Sequence, residues 1–598
     1  MKTFFGSLLG SFLGGIIGLV IIFFIMIGML AGLMKSIKTK ADVKHIYNNS
    51  VLEIRLDHVI SERTAEAPFH FDFDDNTPAR ETAGLDDIIA CIRHAATDAK
   101  IKGIYLNLGD IPAGTSTIQT IRKELQDFKT SSGGKFIIAY AIGYSQKSYY
   151  LASVADKIYL YPEGEIFLKG LSVEMMFYKR ALDKLGIQIQ VFRHGRFKSF
   201  VEPYILDKMS PDNRVQLRGL ITSLWGDMLS DIADSRHLTV HDLNLMADSL
   251  SISSAKEALK YKLVDSLLYP DQIKAEFKTS GPVLVGDKKD NGGNETNYVS
   301  LNEYRQSFNT YKTTATKIAV VYANGDIIEG EGDDETIGAT RISRAIRDAR
   351  LDADVKAIVL RVNSPGGDGI ASDIIWREVD LAKKEKPVIV SMGDYAASGG
   401  YYISCAASEI VAEPTTITGS IGVFGLLPNA KGLLEDKLGI TTDTVSTNTH
   451  SSAPSISYPL ETKEAKVLQS AIENFYHTFL TRVSNGRNMT VANVDSIGQG
   501  RVWSGTQARK IGLVDTLGSL KVAINIAAKK ANISDYSIEE LPHQMNPFHK
   551  LMSNFGTEAG QAFMKEIFGI AYKPIEDIAK LQNTKGVQAR MLYDLNIQ

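Results

Sequence analysis

A serine followed by two glycines, set between a strand and a helix, is a place where acyl chemistry can be done. Ser398 occupies such a position in Gly393-Asp394-Tyr395-Ala396-Ala397-Ser398-Gly399-Gly400. The β-branched stretch Val388 to Val390 reads as a buried strand that Gly393 and Asp394 break, and a small-residue helix follows Gly400. At such a junction a hydroxyl can stand exposed on a sharp turn, while the free N–H groups and positive end of the helix steady a developing anion. The same hydroxyl can do no more than cap the helix. Upstream, the apolar strand Val355 to Leu360 runs into Arg361-Val362-Asn363-Ser364-Pro365-Gly366-Gly367-Asp368. A Pro-Gly-Gly turn can aim a backbone N–H at a substrate carbonyl, and it can also be a plain strand-to-helix connection. Both turns fall at the ends of adjacent parallel strands, where open α/β sheets bind ligands, and together they suggest acyl chemistry.

A serine nucleophile needs a base at neutral pH. His194 and His450 come with no acidic partner readable from the sequence, so a Ser-His-Asp arrangement is open but unsupported. A lysine desolvated until neutral is the alternative: a pKa brought from about 10.4 towards 7–8 costs roughly 3–4 kcal/mol, which burial can supply. Residue types alone do not say which lysine, since most are solvated. Cys91 and Cys405 match no zinc spacing, and H-E-x-x-H, P-loop and dinucleotide fingerprints are missing, so no metal or organic cofactor is expected. A net charge of −3 gives no electrostatic reason to expect nucleic acid.

The elements that must position these residues are laid out twice. Of 598 residues, 44% are hydrophobic and 23% charged, ample for several domains. Lys135-Phe136-Ile137-Ile138-Ala139 and the later Tyr149-Tyr150 are echoed by Lys386-Pro387-Val388-Ile389-Val390 and Tyr401-Tyr402. Asp183-Lys184-Leu185-Gly186-Ile187 returns as Asp436-Lys437-Leu438-Gly439-Ile440, and Leu263-Val264-Asp265 as Leu513-Val514-Asp515. The offset stays near about 250 residues, which is a duplicated domain rather than a solenoid. Strands alternating with helical stretches imply βαβ units and mostly parallel sheets. The expected organisation is an N-terminal anchor (1–45), a first repeat (46–285), a linker (286–315) and a second repeat (316–598) that ends in a helical segment near 554–572. Counting from the shared tyrosines, Gln146 stands opposite Ser398, and the first half has no counterpart of Gly366-Gly367. A structural cap would need no such asymmetry.

Thr3 to Met34 carries no charge and is long enough to span a bilayer, whereas a cleavable signal peptide has a shorter apolar core. A single uncleaved membrane helix is therefore expected, in contact with lipid. Lys35, Lys38, Lys40 and Lys44 on its far side, against Lys2, would by charge bias hold the large domain in the cytoplasm.

Arg361–Gly367, Gly393–Tyr401, Gly419-Ser420-Ile421-Gly422-Val423, Gly500-Arg501-Val502-Trp503-Ser504-Gly505 and Gly512–Asp515 closely resemble the signal peptide peptidase A (protease IV) family in its long, two-domain form. The resemblance implies tandem Clp protease/crotonase-like α/β domains. It also implies a Ser-Lys dyad with Ser398 as nucleophile and, from Phe197-Lys198-Ser199-Phe200-Val201-Glu202-Pro203, Lys198 as general base. Ser420 would orient the lysine, and Gly367 and Gly399 would supply the oxyanion hole. It further implies released signal peptides as substrates, a homotetramer, and catalytic domains on the periplasmic side of the inner membrane, against the charge bias. Two rivals are carried: an acyl-CoA-processing crotonase-like enzyme, and a catalytically silent membrane scaffold.

Overall fold

The computed structural model describes Gly18 and residues 46–64, 83–279, 297–309, 313–545, 586–591 and 596–597. The expected anchor, Gly18 apart, and the helical segment near 554–572 lie outside the described residues. Among the described residues no helix is long and apolar enough to cross a membrane.

Two parallel sheets of the same strand order carry the chain. The first runs Ser266–Leu267, Lys157–Leu160, Phe136–Ala141, Ile101–Asn107, Ser50–Ile54, Asn297–Ser300. In the second, Thr516–Leu517, Glu409–Ala412, Val388–Ala397, Val355–Ser364, Lys317–Asn324 and Ser537–Leu541 follow one another in the same way. Their strands are near-continuous apolar runs because helices cover both faces. Ile318, Val320, Val359 and Ile389 pack under the helix Leu520–Lys530, as Val51, Tyr105 and Ile138 pack under Pro270–Thr279.

The sequence echoes have a physical basis. The first tyrosine of each Tyr-Tyr pair donates to a backbone carbonyl of the later Leu-Val-Asp motif, Tyr149 to Leu263 at 2.8 Å and Tyr401 to Leu513 at 2.9 Å. The aspartate of that motif then accepts from a strand N–H, Asp265 from Ile158 and Asp515 from Ile410. Each pair of motifs ties a helix to a sheet edge.

Two expectations change. The stretch 286–315, expected as a linker, contains the strand Asn297–Ser300 and the helix Leu301–Arg305, which complete the first sheet at its edge as Ser537–Leu541 completes the second. Its polar flanks hid a strand of only 4 residues. Nor do Gly393 and Asp394 end their strand, which runs unbroken from Val388 to Ala397 and changes partner from Glu409–Ala412 to Ile417–Gly419. A Cβ at Gly393 would lie 2.8 Å from a Glu62 carboxylate oxygen, so the glycine serves close approach rather than a turn. Asp394 turns its carboxylate onto the N–H and hydroxyl of Thr117, at 2.9 and 2.6 Å.

That contact belongs to the seam between halves. The helix Thr115–Ser131 buries Thr117, Gln119, Thr120 and Glu124, polar residues that its own sheet does not require. Thr120 donates to Glu413 at 2.9 Å, and Gln119 accepts from the Thr415 hydroxyl at 2.9 Å. Arg361 is fully buried and makes a bidentate pair with Glu62, at 2.9 and 3.0 Å. A further mixed sheet crosses the seam: Gln188–Arg193 of the first half pairs antiparallel with Phe424–Asn429 of the second.

Removing one member of a buried ion pair strands the other charge. Glu62→Ala should therefore cost about 3–5 kcal/mol in denaturant unfolding, and Glu62→Leu combined with Arg361→Met should recover most of that loss. A single variant as stable as wild type would show that the pair does not hold the halves together.

Candidate active site

Ser398 ends the strand Val388–Ala397 and precedes the short helix Gly399–Ser404. Its backbone lies at φ 57° and ψ −112°, a conformation that costs an L residue on the order of 1–3 kcal/mol. Two backbone bonds hold it there: its N–H donates to Gly419 and its carbonyl accepts from Tyr402, both at 2.8 Å. The side chain caps no helix N–H. In the first half the neighbouring Ser145 does cap its helix, and Gln146, the counterpart of Ser398, is spent on the backbone of Lys169 and Gly170. The cap reading fits the first half and fails in the second.

The Ser398 hydroxyl is buried and meets Lys198 Nζ at 2.7 Å. Lys198 comes from the other half, on the loop between the strand Gln188–Arg193 and the turn Ser199–Val201. It is held from both sides. Phe197 N–H donates to the Gln499 carbonyl at 2.9 Å, and Gln216 donates to the Phe197 carbonyl and to Ser199 Oγ, both at 3.0 Å. Gly500 has φ 84°, and a Cβ there would lie 2.6 Å from Lys198 N, so the lysine loop can seat only against a glycine. Glu202 of the same motif accepts from Ser210 and Asn213, which fixes the motif to the long helix Pro211–Arg236.

Lys198 Nζ also reaches Ser420 Oγ at 3.1 Å and the Ser420 carbonyl at 3.2 Å. Ser420 adopts φ 50° and donates its N–H to Arg501. Burial alone, with no carboxylate among the described residues to offset it, pushes the Lys198 ammonium well below its usual pKa of 10.5. Neither histidine bonds to Ser398. His194 stacks on Tyr476, and His450 pairs with Glu464 at 2.9 Å, an acidic partner that only folding reveals. The Gly-Gly turn abuts the serine: the position of a Cβ on Gly366 is 2.7 Å from Gly399 N, and Gly366 N–H donates to Ser364 Oγ at 3.1 Å.

Sequence reasoning missed Gln216, Glu202 and Gly500, which place the lysine without touching the serine. Glu202 and Gly500 stand in the motifs Phe197–Pro203 and Gly500–Gly505, but with no role read from them, and Gln216 left no signal.

Comparison with known proteins gives the family. The model of peptidase family S49 matches twice, at 129–283 and 380–534. The chain belongs to peptidase family S49. Protease 4 of Salmonella typhi is 40% identical over 465 residues, which are 76% of this chain and 73% of the relative. Serine protease SPPA, chloroplastic, of Arabidopsis thaliana is 31% identical over 507 residues, 83% and 72% of the two chains. Among solved structures, a ClpP1 mutant from Listeria monocytogenes covers 34% of this chain and 94% of its own, with TM-score 0.23 and 16% identity. This S49 chain is a serine protease. That answers the acyl-CoA and scaffold rivals.

A lysine whose pKa falls on folding weakens the fold below its unfolded pKa, and the penalty fades as pH rises towards 10.5. Lys198→Met should therefore melt no lower than wild type at neutral pH, with a gain that shrinks on going alkaline. A gain that grew with pH in thermal scans would contradict a depressed lysine.

Proposed function

We propose that this S49 peptidase is a membrane-anchored endopeptidase working through a Ser398–Lys198 dyad, with apolar peptides, above all released signal peptides, as substrates. The observation that carries the reading is the 2.7 Å contact between a buried amine and a buried hydroxyl on strained backbone. A neutral amine has two hydrogens and one lone pair. The hydrogens suit Ser420 Oγ and the Ser420 carbonyl, and the lone pair suits the Ser398 hydroxyl proton. Ser398 Oγ attacks the peptide carbonyl as Lys198 takes its proton, and Lys198 then hands that proton to the leaving amine. The N–H groups of Gly367 and Gly399 receive the oxyanion; one such donor is worth about 10²–10³ in rate in other enzymes.

Substrate would enter as an extended strand, satisfying its backbone at sheet edges while its apolar side chains fill pockets. The apolar run from Thr3 to Met34 would hold the enzyme in the inner membrane, with the catalytic domains periplasmic and four copies assembled. A C-terminal reporter fusion active only in the periplasm would support that orientation, and one active only in the cytoplasm would reverse it.

Ser398→Ala and Lys198→Ala should each lower hydrolysis of an apolar peptide by at least about 10³-fold with the fold intact by circular dichroism. Wild-type rates in either variant would end the dyad reading. Because the amine must be neutral to accept a proton, activity should fall as pH drops through the lowered lysine pKa, giving an acid limb well below 10.5. Ser420→Ala should cost about tenfold in kcat and shift that limb, since one hydrogen bond to the amine is lost.

A further inference from the structure

Two long helices, one from each half, take hold of the lysine loop. From the helix Pro211–Arg236, Gln216 grips the Phe197 carbonyl and Ser199. The second half answers with Tyr476, on the helix Thr462–Arg487, which acts at two points. Its hydroxyl donates to Asp495 Oδ1 at 2.6 Å and accepts from the Gln499 N–H at 3.1 Å. Its ring stacks on His194, four residues ahead of Lys198, with centroids 4.1 Å apart.

Gln499 is the residue this hydroxyl steadies. It is not a glycine, yet its backbone lies at φ 53°, in the left-handed region where such a residue is strained. Its carbonyl is the acceptor for the Phe197 N–H, at 2.9 Å. Next along the chain, Gly500 N–H donates to the Ile421 carbonyl and the Arg501 carbonyl accepts from Ser420 N–H, both at 2.7 Å. One residue of the ribbon Gln499–Arg501 therefore bonds the lysine loop, and the next two bond the Ser420 segment that meets the amine. The fit is close: a Cβ on Gly195 would lie 2.5 Å from the Gln499 carbonyl carbon. Asp495 completes the arrangement, since its Oδ2 accepts from Gln499 Nε2 at 3.4 Å. Tyr476 is only 3% exposed, and burial followed by the Asp495 carboxylate holds its phenol above the usual range, so the hydroxyl stays protonated.

We propose that Tyr476 is a positioning residue for the reaction: by fixing Gln499 and bracing His194, it sets where Lys198 Nζ meets the Ser398 and Ser420 hydroxyls and keeps water from the amine. It bonds to neither Lys198 nor Ser398. The inference rests on the Ser398–Lys198 reading above. The charged groups beside the loop are cations that do not bond the amine: Arg193 donates to the Lys198 carbonyl at 3.4 Å, and the Arg501 guanidinium lies 5.2 Å from the Phe197 ring centre. A loosened clamp thus wets the amine without handing it a carboxylate, and a wetter amine is neutral only at higher pH.

The test follows hydrolysis of an apolar peptide by the full chain across pH, with kcat and KM separated. Tyr476→Phe keeps the ring and loses the hydroxyl. At neutral pH kcat should fall about tenfold with KM within about twofold, and the acid limb should move up by about one pH unit, the rate recovering above it. Asp495→Ala leaves the phenol without its acceptor and should move the limb the same way by less. Tyr304→Phe is the control: it removes another buried phenol, bonded to Asp98 at 3.0 Å in the first half, and should leave kcat and the limb unchanged. A Tyr476→Phe enzyme that melts lower but keeps the wild-type kcat and limb would overturn the positioning role. So would a loss confined to KM. Should that variant fail to fold, the limb of Asp495→Ala decides alone. Lys198→Ala, run alongside, separates the two readings. Wild-type hydrolysis there removes the dyad and the role of Tyr476 with it, whereas an inactive Lys198→Ala beside an unmoved limb in Tyr476→Phe removes the positioning only.

Discussion

An amine kept dry beside a hydroxyl, with no counter-charge among the described residues, is the constraint around which this molecule is arranged. A lysine in water is an ammonium and useless as a base, and an ion-paired lysine remains one. The only remaining way to neutral amine is to remove water and offer hydroxyls and carbonyls in its place. Lys198 has Ser398, the Ser420 hydroxyl and the Ser420 carbonyl around it and is fully buried. That environment does not come from one domain. The lysine loop enters from the first half, and the second half supplies Ser420, Gly422 and Gly500 as the walls against which it seats.

The seam therefore has to be rigid. Its polar contacts are short, buried or half-buried, and mutually satisfied: Arg361 with Glu62, Asp394 with Thr117, Glu413 with Thr120. Burial pushes the Glu413 carboxyl up to about 7, the behaviour of a group that gives one acceptor to a hydroxyl and is otherwise surrounded by protein. Networks of this kind specify a unique fit because any shift leaves several groups unsatisfied at once. The fit fixes where Lys198 meets Ser398 across the two halves.

Much of this was legible in the sequence, for identifiable reasons. The parallel strands are long apolar runs, and the repeated Tyr-Tyr and Leu-Val-Asp motifs carry obligatory side-chain contacts, so duplication shows in the letters. Ser398 could be singled out because its counterpart is Gln146, whereas the choice of Lys198 needed the family resemblance: a buried lysine looks in sequence like a solvated one. Gln216 lies in none of the recognisable motifs, and although Glu202 stands in the lysine motif, its bonds to Ser210 and Asn213 show only once the chain turns back into its long helix. The strand Asn297–Ser300 was hidden by its brevity and polar flanks, and Gly393 misled because close packing against Glu62 demands the same residue as a turn. His450 gained an acidic neighbour, Glu464, only through folding, with Glu464 in the first turn of the helix Thr462–Arg487, and the pair does not bond to Ser398.

The division of the pair between halves bears on how the chain is made. Lys198 emerges from the ribosome 200 residues ahead of Ser398, and the walls that dry its amine, Ser420 and Gly500, follow later still. A nascent chain that ends before Ser398 holds only the lysine, and one that ends before Gly500 lacks part of the walls that dry it. If the two form the proposed dyad, hydrolytic power would arrive only once the second half has folded onto the first.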